Sequence, residues 1–310
     1  MKILLLDKNH PLIENQLLEK GFVLDEDYTS SYDEVAAKIH NYDGIIIRSR
    51  IPMDAEMLRN AKNLKFIARV GAGMENIDIA EAQKLGISLI NSPEGNRDSV
   101  AEHVLGMLLI LMNRLFIASQ EVKNGIWKRE ENRGDELLGK TFGIIGYGNM
   151  GKAVAKRLSG FGCRVIFHDI LPDLGDEYAT QVSLEDLQKE ADIVSLHIPI
   201  TEQTHYLINE DFISKMHKDF YFVNTARGRN VETSSLVEAI KTGKVKGAAF
   251  DVLEYEKSSF EHLEKENEDL NFLLHSDKAI ITPHIAGWTM QSKEKLAQFI
   301  VDKIIAQFPL

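Results

Sequence analysis

The chain has 310 residues, of which 44% are apolar and 27% are charged, and its formal net charge is −11. This composition is typical of a soluble globular protein, and the length predicts two domains. The acidic balance argues against a nucleic-acid partner, which would require a basic face.

The cysteine content and the apolar runs bear on the compartment. The single cysteine, Cys163, excludes an intrachain disulfide and a zinc site built on cysteines. The segment Met1–Asp7 is not a signal peptide, because its apolar run is short and ends in an acid. The longest apolar stretch, Val104–Met112, has nine residues, too few to span a bilayer. We therefore expect a cytoplasmic protein with no membrane partner and no metal cluster.

The first part of the chain alternates short apolar strands with amphipathic helices, which predicts a parallel sheet of the βαβ type. The predicted strands are 3–6, 45–47, 66–68 and 87–90, and the predicted helices are 12–20, 55–61 and 79–85. After Asn91-Ser92-Pro93, a long helix at 99–113 is apolar nearly all round, so we expect it to be buried between domains or subunits. Residues 125–139 are predicted to form a loop.

A second α/β block begins at Thr141, with predicted strands at 142–145, 165–168, 193–197, 221–224, 248–250 and 279–282. Six strands are the count of a complete dinucleotide-binding sheet. A final amphipathic helix after Gly287 can return to the first domain. The predicted architecture is therefore α/β, with two Rossmann-like or flavodoxin-like domains and parallel sheets. The expected domains are residues 1–95 with 284–310, and residues 96–283.

The stretch Gly146-Tyr147-Gly148-Asn149-Met150-Gly151 follows a predicted strand and opens a predicted helix, which is the context that a dinucleotide-binding loop requires. Gly146 allows the tight turn, Gly148 lets the backbone approach the pyrophosphate, and Gly151 lets helix and strand pack closely. The amides of Asn149 and Met150 then face the phosphates at the positive end of the helix.

An acid at the end of the next strand indicates which dinucleotide binds. Asp169 lies 23 residues after Gly146, where a carboxylate accepts hydrogen bonds from both ribose hydroxyls. The same carboxylate would repel a 2′-phosphate, and no arginine or lysine follows in Ile170-Leu171-Pro172. The sequence therefore favours NAD over NADP.

Three later strand ends carry candidate chemistry, and the carboxyl ends of parallel strands share one edge of a sheet. His284 can take the hydroxyl proton as hydride leaves a secondary alcohol, because imidazole changes protonation near neutral pH. Glu256 can orient that imidazole, although Glu254 competes with it in the same loop. Arg227 can hold a substrate carboxylate and polarise a carbonyl with its planar fork of donors.

These segments resemble the D-isomer-specific 2-hydroxyacid dehydrogenase family over essentially the whole chain. The matching stretches are Val70-Gly71-Ala72-Gly73 with Ile77-Asp78, Asn96–His103, Gly146–Gly151, Asn224–Gly228, Asp251–Glu256 and Pro283–Gly287. The resemblance implies two α/β domains with the active site in the interdomain cleft, and a homodimer formed through the long-helix region.

The same resemblance assigns roles to residues. It makes Arg227, Glu256 and His284 the catalytic trio and places Asp251 against the nicotinamide amide. It adds cofactor contacts from Thr225, Ala226 and Gly287. The backbone amides of Val70, Gly71, Ala72 and Gly73 would form an anion-binding turn for the substrate carboxylate. Two departures affect a nearby loop: Lys257 stands where many members have proline, and the segment Ser258–Asp277 is highly charged and looks longer than usual.

The substrate is predicted from Ile47-Arg48-Ser49-Arg50, which looks most like the phosphoglycerate dehydrogenase branch of the family. Arg48 and Arg50 could clamp a phosphate from one face of a strand end. Alternatively, one of them contacts the substrate and the other is a surface charge. Because the chain ends soon after the final helix, we expect no regulatory domain.

The predicted function is NAD-dependent hydride transfer between nicotinamide and a small D-2-hydroxy or 2-oxo acid, with 3-phosphoglycerate, at the entry to serine synthesis, as the expected substrate. A glyoxylate or hydroxypyruvate reductase is the nearest alternative. An NAD(H)-sensing binding protein related to corepressors is an alternative of another class. A formate dehydrogenase is disfavoured by the compact loops and the arginine pair.

Overall fold

The structure is a computed structural model that describes residues 1–256 and 267–310. Lys257 and the first part of the charged segment Ser258–Asp277 lie outside the described residues. The described chain forms two compact units, Met1–Arg97 with Trp288–Leu310, and Asp98–Gly287. These limits differ by a few residues from the expected ones. The segment after Pro283 stays with the second unit because the amides of Ile285 and Ala286 donate to the Asp251 carboxylate.

The first unit contains a parallel sheet which, in the described residues, has five strands in the order β2-β1-β3-β4-β5. The strands are β1 (Lys2–Leu5), β2 (Val23–Glu26), β3 (Gly44–Ile47), β4 (Phe66–Arg69) and β5 (Ser88–Asn91). The helices are α1 (Leu12–Glu19), α2 (Tyr32–Lys38), α3 (Ala55–Asn60), α4 (Ile79–Lys84) and α12 (Met290–Gln307). This strand order is that of flavodoxin-like folds, as predicted.

The C-terminal helix completes the core of the first unit. Ile300 and Ile304 of α12 are fully buried and pack with Ile3 of β1 and Phe66 of β4. They lie on the apolar face of this amphipathic helix, and burial of that face holds α12 against the sheet.

The second unit contains a parallel sheet of seven strands, counted within the described residues, in the order β12-β11-β10-β9-β6-β7-β8. The strands are β6 (Thr141–Ile145), β7 (Arg164–His168), β8 (Thr180–Gln181), β9 (Ile193–Leu196), β10 (Phe220–Asn224), β11 (Val245–Phe250) and β12 (Ala279–Ile281). The chain enters in the middle at β6, builds outward to β8 and returns to β9 on the other side. The β6–β9 junction is therefore a topological switch point, where open α/β sheets bind ligands.

Helices cover both faces of this sheet. They are α7 (Asn149–Leu158), α8 (Leu184–Glu190), α9 (Glu210–Ser214), α10 (Thr233–Thr242), α11 (Glu268–His275) and the part of α5 (Pro93–Met112) that follows Arg97. α6 (Leu115–Lys123) belongs to the same unit and buries none of its residues. Val104 and Leu108 of α5 are fully buried against Phe142 and Ile144 of β6. Burial in this core explains the apolar character of α5.

α5 begins at Pro93, earlier than the predicted start at residue 99. Proline suits a first helical position because that residue has no intrahelical partner for an amide hydrogen. In residues 1–256 and 267–310, no single helix has both the length and the apolar composition to cross a membrane; α5 and α6 pass such a test only as a pair bent by 60°.

Candidate active site

The glycine loop lies at the switch point, between β6 and α7. Gly146 adopts a left-handed conformation with φ of 92°, and its amide donates to the carbonyl of His168 at 2.9 Å. A Cβ on Gly151 would lie 2.2 Å from the carbonyl oxygen of Gly146, so only glycine permits this contact between helix and turn. In the part of the chain that the structure describes, the amides of Asn149, Met150 and Gly151 have no partner. Their free donors at a helix N-terminus fit a pyrophosphate.

Asp169 follows β7 and is oriented by two backbone amides. Its Oδ2 accepts from the amide of Tyr147 at 2.7 Å, and its Oδ1 accepts from the amide of Leu171 at 3.0 Å. A carboxylate offers about four lone-pair sites, so two remain for the hydroxyls of a ribose. This arrangement fits the ribose of NAD.

The turn after β10 places Thr225 and Ala226 beside the switch point. Buried Asn224 fixes this turn, because its Oδ1 accepts from the amide of Ala226 and its Nδ2 donates to the carbonyl of Arg227, each at 3.0 Å. Ala226 thus has no amide left for a cofactor. The buried Oγ1 of Thr225 has no hydrogen-bond partner within the described residues, which fits a contact with a ligand. Asn224 was not singled out in the sequence, although an asparagine at a strand end before such a turn is a usable signal.

His197, at the end of β9, was also missed. A Cβ on Gly146 would lie 2.5 Å from the His197 carbonyl oxygen, so this histidine lies against the glycine loop. Its Nε2 is 2.9 Å from the Oγ of Ser195, and its buried Nδ1 has no partner in residues 1–256 and 267–310. Burial lowers the pKa of His197 to about 3, so the imidazole is neutral. Its position at a strand end beside the motif could have identified it.

The loops after β11 and β12 bring together the predicted acid–base pair. The Nδ1 of His284 lies 2.8 Å from the Oε2 of Glu256, whose Oε1 accepts from the amide of Leu253 at 2.6 Å. This pairing assigns the proton of a neutral His284 to Nδ1, which leaves Nε2 as the reactive nitrogen. Glu254 instead accepts from the amide of Thr233 at 3.2 Å, so Glu256 is the residue that orients the histidine.

Asp251 holds the loop that carries His284. Its side chain is 2% exposed, its Oδ1 accepts from the Thr282 hydroxyl at 2.6 Å and from the Ile285 amide at 2.8 Å, and its Oδ2 accepts from the Ala286 amide at 2.8 Å. The carboxylate therefore fixes the His284 loop, in which His284 itself adopts a left-handed φ of 54° and which continues to Gly287. These bonds leave a lone pair on Oδ2, so the contact with the nicotinamide amide that the resemblance implies stays a prediction.

Arg227 stands in the turn between β10 and the short 3₁₀ segment Gly228–Asn230. Its Nη1 donates to the carbonyl of Ala226 at 2.6 Å. A Cβ on Gly228 would lie 2.1 Å from the carbonyl of Leu253, so the Arg227 turn packs directly on the loop that leads to Glu256. The catalytic residues predicted from the sequence thus lie on neighbouring loops of one sheet edge.

The predicted anion-binding turn follows β4 in the first unit, and only part of it offers free donors. The amide of Val70 donates to the carbonyl of Ile47, and that of Gly71 donates to the carbonyl of Arg69, each at 2.9 Å. The amides of Ala72 and Gly73 have no partner among the described residues. Of the four predicted donors, these two amides are therefore the ones available to bind an anion. The sequence analysis did not identify Arg69 as a residue of this turn. Its guanidinium lies against Gly71, and its place directly before the turn could have indicated this role.

Arg48 and Arg50 do not form a pair. β3 ends at Ile47, so the two-residue periodicity of a strand does not extend to them. Arg50 donates through Nε to the carbonyl of Leu6 at 2.7 Å, through Nη1 to that of Ser30 at 2.6 Å, and through Nη2 to that of Asp27 at 2.9 Å.

Arg48 instead lies over the Trp288 ring, 4.4 Å from its centroid, and burial lowers the pKa of its guanidinium. The cation–π contact orients the guanidinium face and leaves its edge for hydrogen bonds.

Comparison with known proteins identifies the family. The sequence profile described as "D-isomer specific 2-hydroxyacid dehydrogenase, NAD binding domain" matches residues 105–286. A hydroxypyruvate reductase of Thermotoga maritima is 38% identical over 275 residues, which are 89% of this chain and 88% of that protein. A D-3-phosphoglycerate dehydrogenase of Archaeoglobus fulgidus is 35% identical over 310 residues; the match covers 98% of this chain and 57% of that longer protein.

A solved structure shows the same fold with ligands. The D-lactate dehydrogenase of Aquifex aeolicus, complexed with NAD and lactic acid, is 31% identical, with a TM-score of 0.83 over 99% of this chain and 95% of that one. The predicted family, fold and cofactor are confirmed by these matches.

Proposed function

The chain belongs to the D-isomer-specific 2-hydroxyacid dehydrogenases, and we propose that this NAD-dependent enzyme reduces a small, unphosphorylated 2-oxo acid of the hydroxypyruvate or glyoxylate type. The sequence favoured 3-phosphoglycerate as substrate, on the strength of the arginine pair. Relatives named for either activity match this chain to similar degrees, so the choice between them rests on the site.

The observation that carries the choice is the hydrogen bonding of Arg50. Three of its donors bind the carbonyls of Leu6, Asp27 and Ser30, which fastens the end of β1 to the loop after β2. These internal bonds fix the guanidinium against that loop and leave two of its five N–H groups for a phosphate. Arg48 remains as the arginine that contacts the substrate.

The proposed chemistry is hydride and proton addition to the two ends of one carbonyl. Bound NADH supplies the hydride for C2 of the 2-oxo acid. A protonated His284 donates the proton from Nε2 to the C2 oxygen, while Glu256 holds Nδ1 and stabilises the charged imidazole. The guanidinium of Arg227 polarises the carbonyl. In the oxidative direction, neutral His284 takes the hydroxyl proton at the same nitrogen.

The first unit carries its own candidate site for a carboxylate, in the turn that follows β4. The free amides of Ala72 and Gly73 bind anions as a backbone nest does. Two hydrogen bonds fix the carbonyls of the same turn. The side-chain Nδ2 of Asn91 donates to the carbonyl of Ala72 at 2.7 Å, and the backbone amide of Ser92 donates to the carbonyl of Gly71 at 2.9 Å. Arg69 adds a positive charge beside the turn.

The test is NADH oxidation measured with hydroxypyruvate, glyoxylate, pyruvate and 3-phosphohydroxypyruvate. We expect the highest kcat/KM with hydroxypyruvate or glyoxylate. Arg50→Ala should leave this preference unchanged, whereas Arg48→Ala should raise the KM for the 2-oxo acid by about tenfold, as expected for loss of a charged hydrogen bond. A preference for 3-phosphohydroxypyruvate that Arg50→Ala abolishes would overturn the proposal. Tight NADH binding without turnover of any substrate would favour an NAD(H)-sensing protein.

We also propose that the enzyme is a homodimer formed through α6 and the segment that follows it. Leu115, Phe116, Val122, Ile126 and Trp127 are exposed within 13 consecutive residues, and Trp127 is 82% exposed. Large apolar side chains gathered on one exposed surface are typical of protein interfaces. The segment also carries charges of both signs, from Lys123 and Lys128 to Glu130 and Glu131, which suits a self-complementary contact.

A further inference from the structure

Tyr147 occupies a variable position of the glycine loop, between Gly146 and Gly148. Phosphate binding by this loop requires the glycines and backbone amides and asks nothing of the side chain at this position. Yet Tyr147 is only 1% exposed, and its ring stacks on that of Phe167 of β7, with centroids 3.7 Å apart and planes 10° apart. A large buried tyrosine here requires an explanation beyond phosphate binding.

Tyr147 makes two hydrogen bonds to the loop that follows β7. Its amide donates to Oδ2 of Asp169 at 2.7 Å, and its hydroxyl donates to Oδ1 of Asp176 at 2.8 Å. The two acceptors lie seven positions apart, at the two ends of the segment from 169 to 176. One residue of the phosphate loop therefore fastens both ends of the neighbouring loop.

The segment from 169 to 176 contains neither helix nor strand, so these contacts determine its conformation. Asp173 within it adopts a left-handed φ of 58°, which is unfavourable for a residue with a Cβ. Gln181 supports the middle, with Nε2 donating to the Leu171 carbonyl at 2.7 Å and Oε1 accepting from the Leu174 amide at 2.9 Å. Asp176 also accepts from the amide of Tyr178 at 2.9 Å.

We infer that Tyr147 is a positioning residue for the adenosine half of NAD(H), acting through Asp169 and Asp176. By fastening the loop at both ends, it fixes the Asp169 carboxylate where the ribose hydroxyls bind and fixes the exposed Ile170 and Leu171 beside it. This inference rests on the NAD site of the proposed function and is independent of which 2-oxo acid is reduced. Burial and the neighbouring Asp176 raise the pKa of the Tyr147 phenol, so the hydroxyl remains a donor at any pH of activity.

The test compares Tyr147→Phe with the wild type by titration of protein fluorescence with NADH and with ADP-ribose, which keeps the adenosine half and lacks nicotinamide. Phenylalanine keeps the ring stacked on Phe167 and removes the hydroxyl. We expect the Kd of both ligands to rise by about tenfold, as expected for a lost hydrogen bond to a charged group. The KM for NADH should rise in parallel, while kcat at saturating NADH should stay within about twofold of the wild type.

Three further variants make the result specific. Asp176→Asn keeps an acceptor at Oδ1 and should retain most of the affinity. Asp176→Ala, which also removes the acceptor of the Tyr178 amide, should lose at least as much as Tyr147→Phe, and the double variant should lose no more than Asp176→Ala. Tyr221→Phe is the control, because Tyr221 also donates to an aspartate, Asp135 at 3.1 Å, away from the glycine loop. Melting temperatures show whether each variant is folded.

The outcomes separate this inference from the proposed function. Wild-type affinity of Tyr147→Phe for both ligands would overturn the inference, as would a loss of NADH affinity with ADP-ribose binding unchanged. Unfolding of Tyr147→Phe would leave Asp176→Ala as the deciding variant. Failure of the wild type to bind NADH would instead contradict the proposed function.

Discussion

At the scale of single residues, tertiary contacts decide the partner of each side chain. Glu256 and Glu254 are two positions apart, and the hydrogen bond at 2.8 Å to His284 belongs to Glu256. The sequence left open whether Arg50 binds a phosphate or is a surface charge. It could not show the hydrogen bonds from Arg50 to Leu6, Asp27 and Ser30, because the fold brings these distant residues together. The hydrogen bonds from Asp251 to the His284 loop depend on tertiary contacts of the same kind.

The neutral state of His197 predicts a pH dependence of stability. Because burial lowers its pKa to about 3, the unfolded chain binds one more proton than the folded protein between about pH 6.5 and pH 3. Stability therefore falls as the pH falls through this range, by at most about 1.4 kcal/mol per pH unit for one proton.

The substitution His197→Gln should reduce the fall in melting temperature between pH 7.5 and pH 5, because glutamine does not titrate. Differential scanning fluorimetry at both values checks this. The control is His217→Gln, which removes an exposed histidine. Equal falls in the wild type and in His197→Gln would contradict the assigned state of His197.

At the scale of elements, the apolar strands and long helices were predicted to within a few residues, except for the start of α5. β2 and α2 were missed. β2 reads Val23-Leu24-Asp25-Glu26 and lies at the edge of its sheet, where one side is exposed and no apolar run is required. Its existence follows from pairing with β1, which is a tertiary contact. Short helices such as α9, with five residues, were missed because they cover too few turns to show a period.

Two glycines of the loop, only three residues apart, are expected to respond differently to substitution by alanine: one in NADH affinity and the other in stability. A Cβ on Gly148 would meet nothing within 4 Å in the described residues, whereas one on Gly151 would lie 2.2 Å from the carbonyl oxygen of Gly146. Gly148→Ala should therefore keep the melting temperature and raise the Kd for NADH by about tenfold or more, because the methyl group occupies space needed by the pyrophosphate. Gly151→Ala should lower the unfolding free energy by about 1–3 kcal/mol through overpacking.

Thermal unfolding and NADH titration of both variants check this contrast. Gly160→Ala is the matched control, since a Cβ there would also meet nothing within 4 Å among the described residues and lies outside the loop. Unchanged NADH affinity of Gly148→Ala would show that the pyrophosphate does not approach this residue.

At the scale of the whole molecule, the family, the two sheets and the cofactor could be predicted because they depend on ordered motifs along the chain. The sheet edge that carries Gly146, Asp169, Arg227 and His284 follows from strand order alone. The physiological substrate could not be predicted, because members of one family share the acid–base pair and differ in side chains placed by tertiary contacts. The assembly state could not be derived for a related reason: an apolar helix suits a core and an interface equally.

The proposed dimer predicts that Trp127→Asp or Phe116→Asp yields monomers. A charge at the centre of an apolar interface carries a desolvation cost without a partner. Light scattering after size exclusion should give twice the 35.0 kDa chain mass for the wild type and for the control Leu274→Asp, which alters an exposed leucine of α11. A monomeric wild type, or a dimeric Trp127→Asp, would contradict this interface.

The central claim, that the His284–Glu256 pair handles the proton of a nicotinamide-dependent reduction, is tested most directly with His284→Ala. NADH affinity by fluorescence titration and kcat with the best 2-oxo acid are measured on the same preparation. The account predicts an NADH Kd within about twofold of the wild type and a kcat lower by about 10²- to 10⁴-fold, the contribution of a general acid. A kcat within tenfold of the wild type, or an equal loss of NADH binding, would show that His284 is not the proton donor.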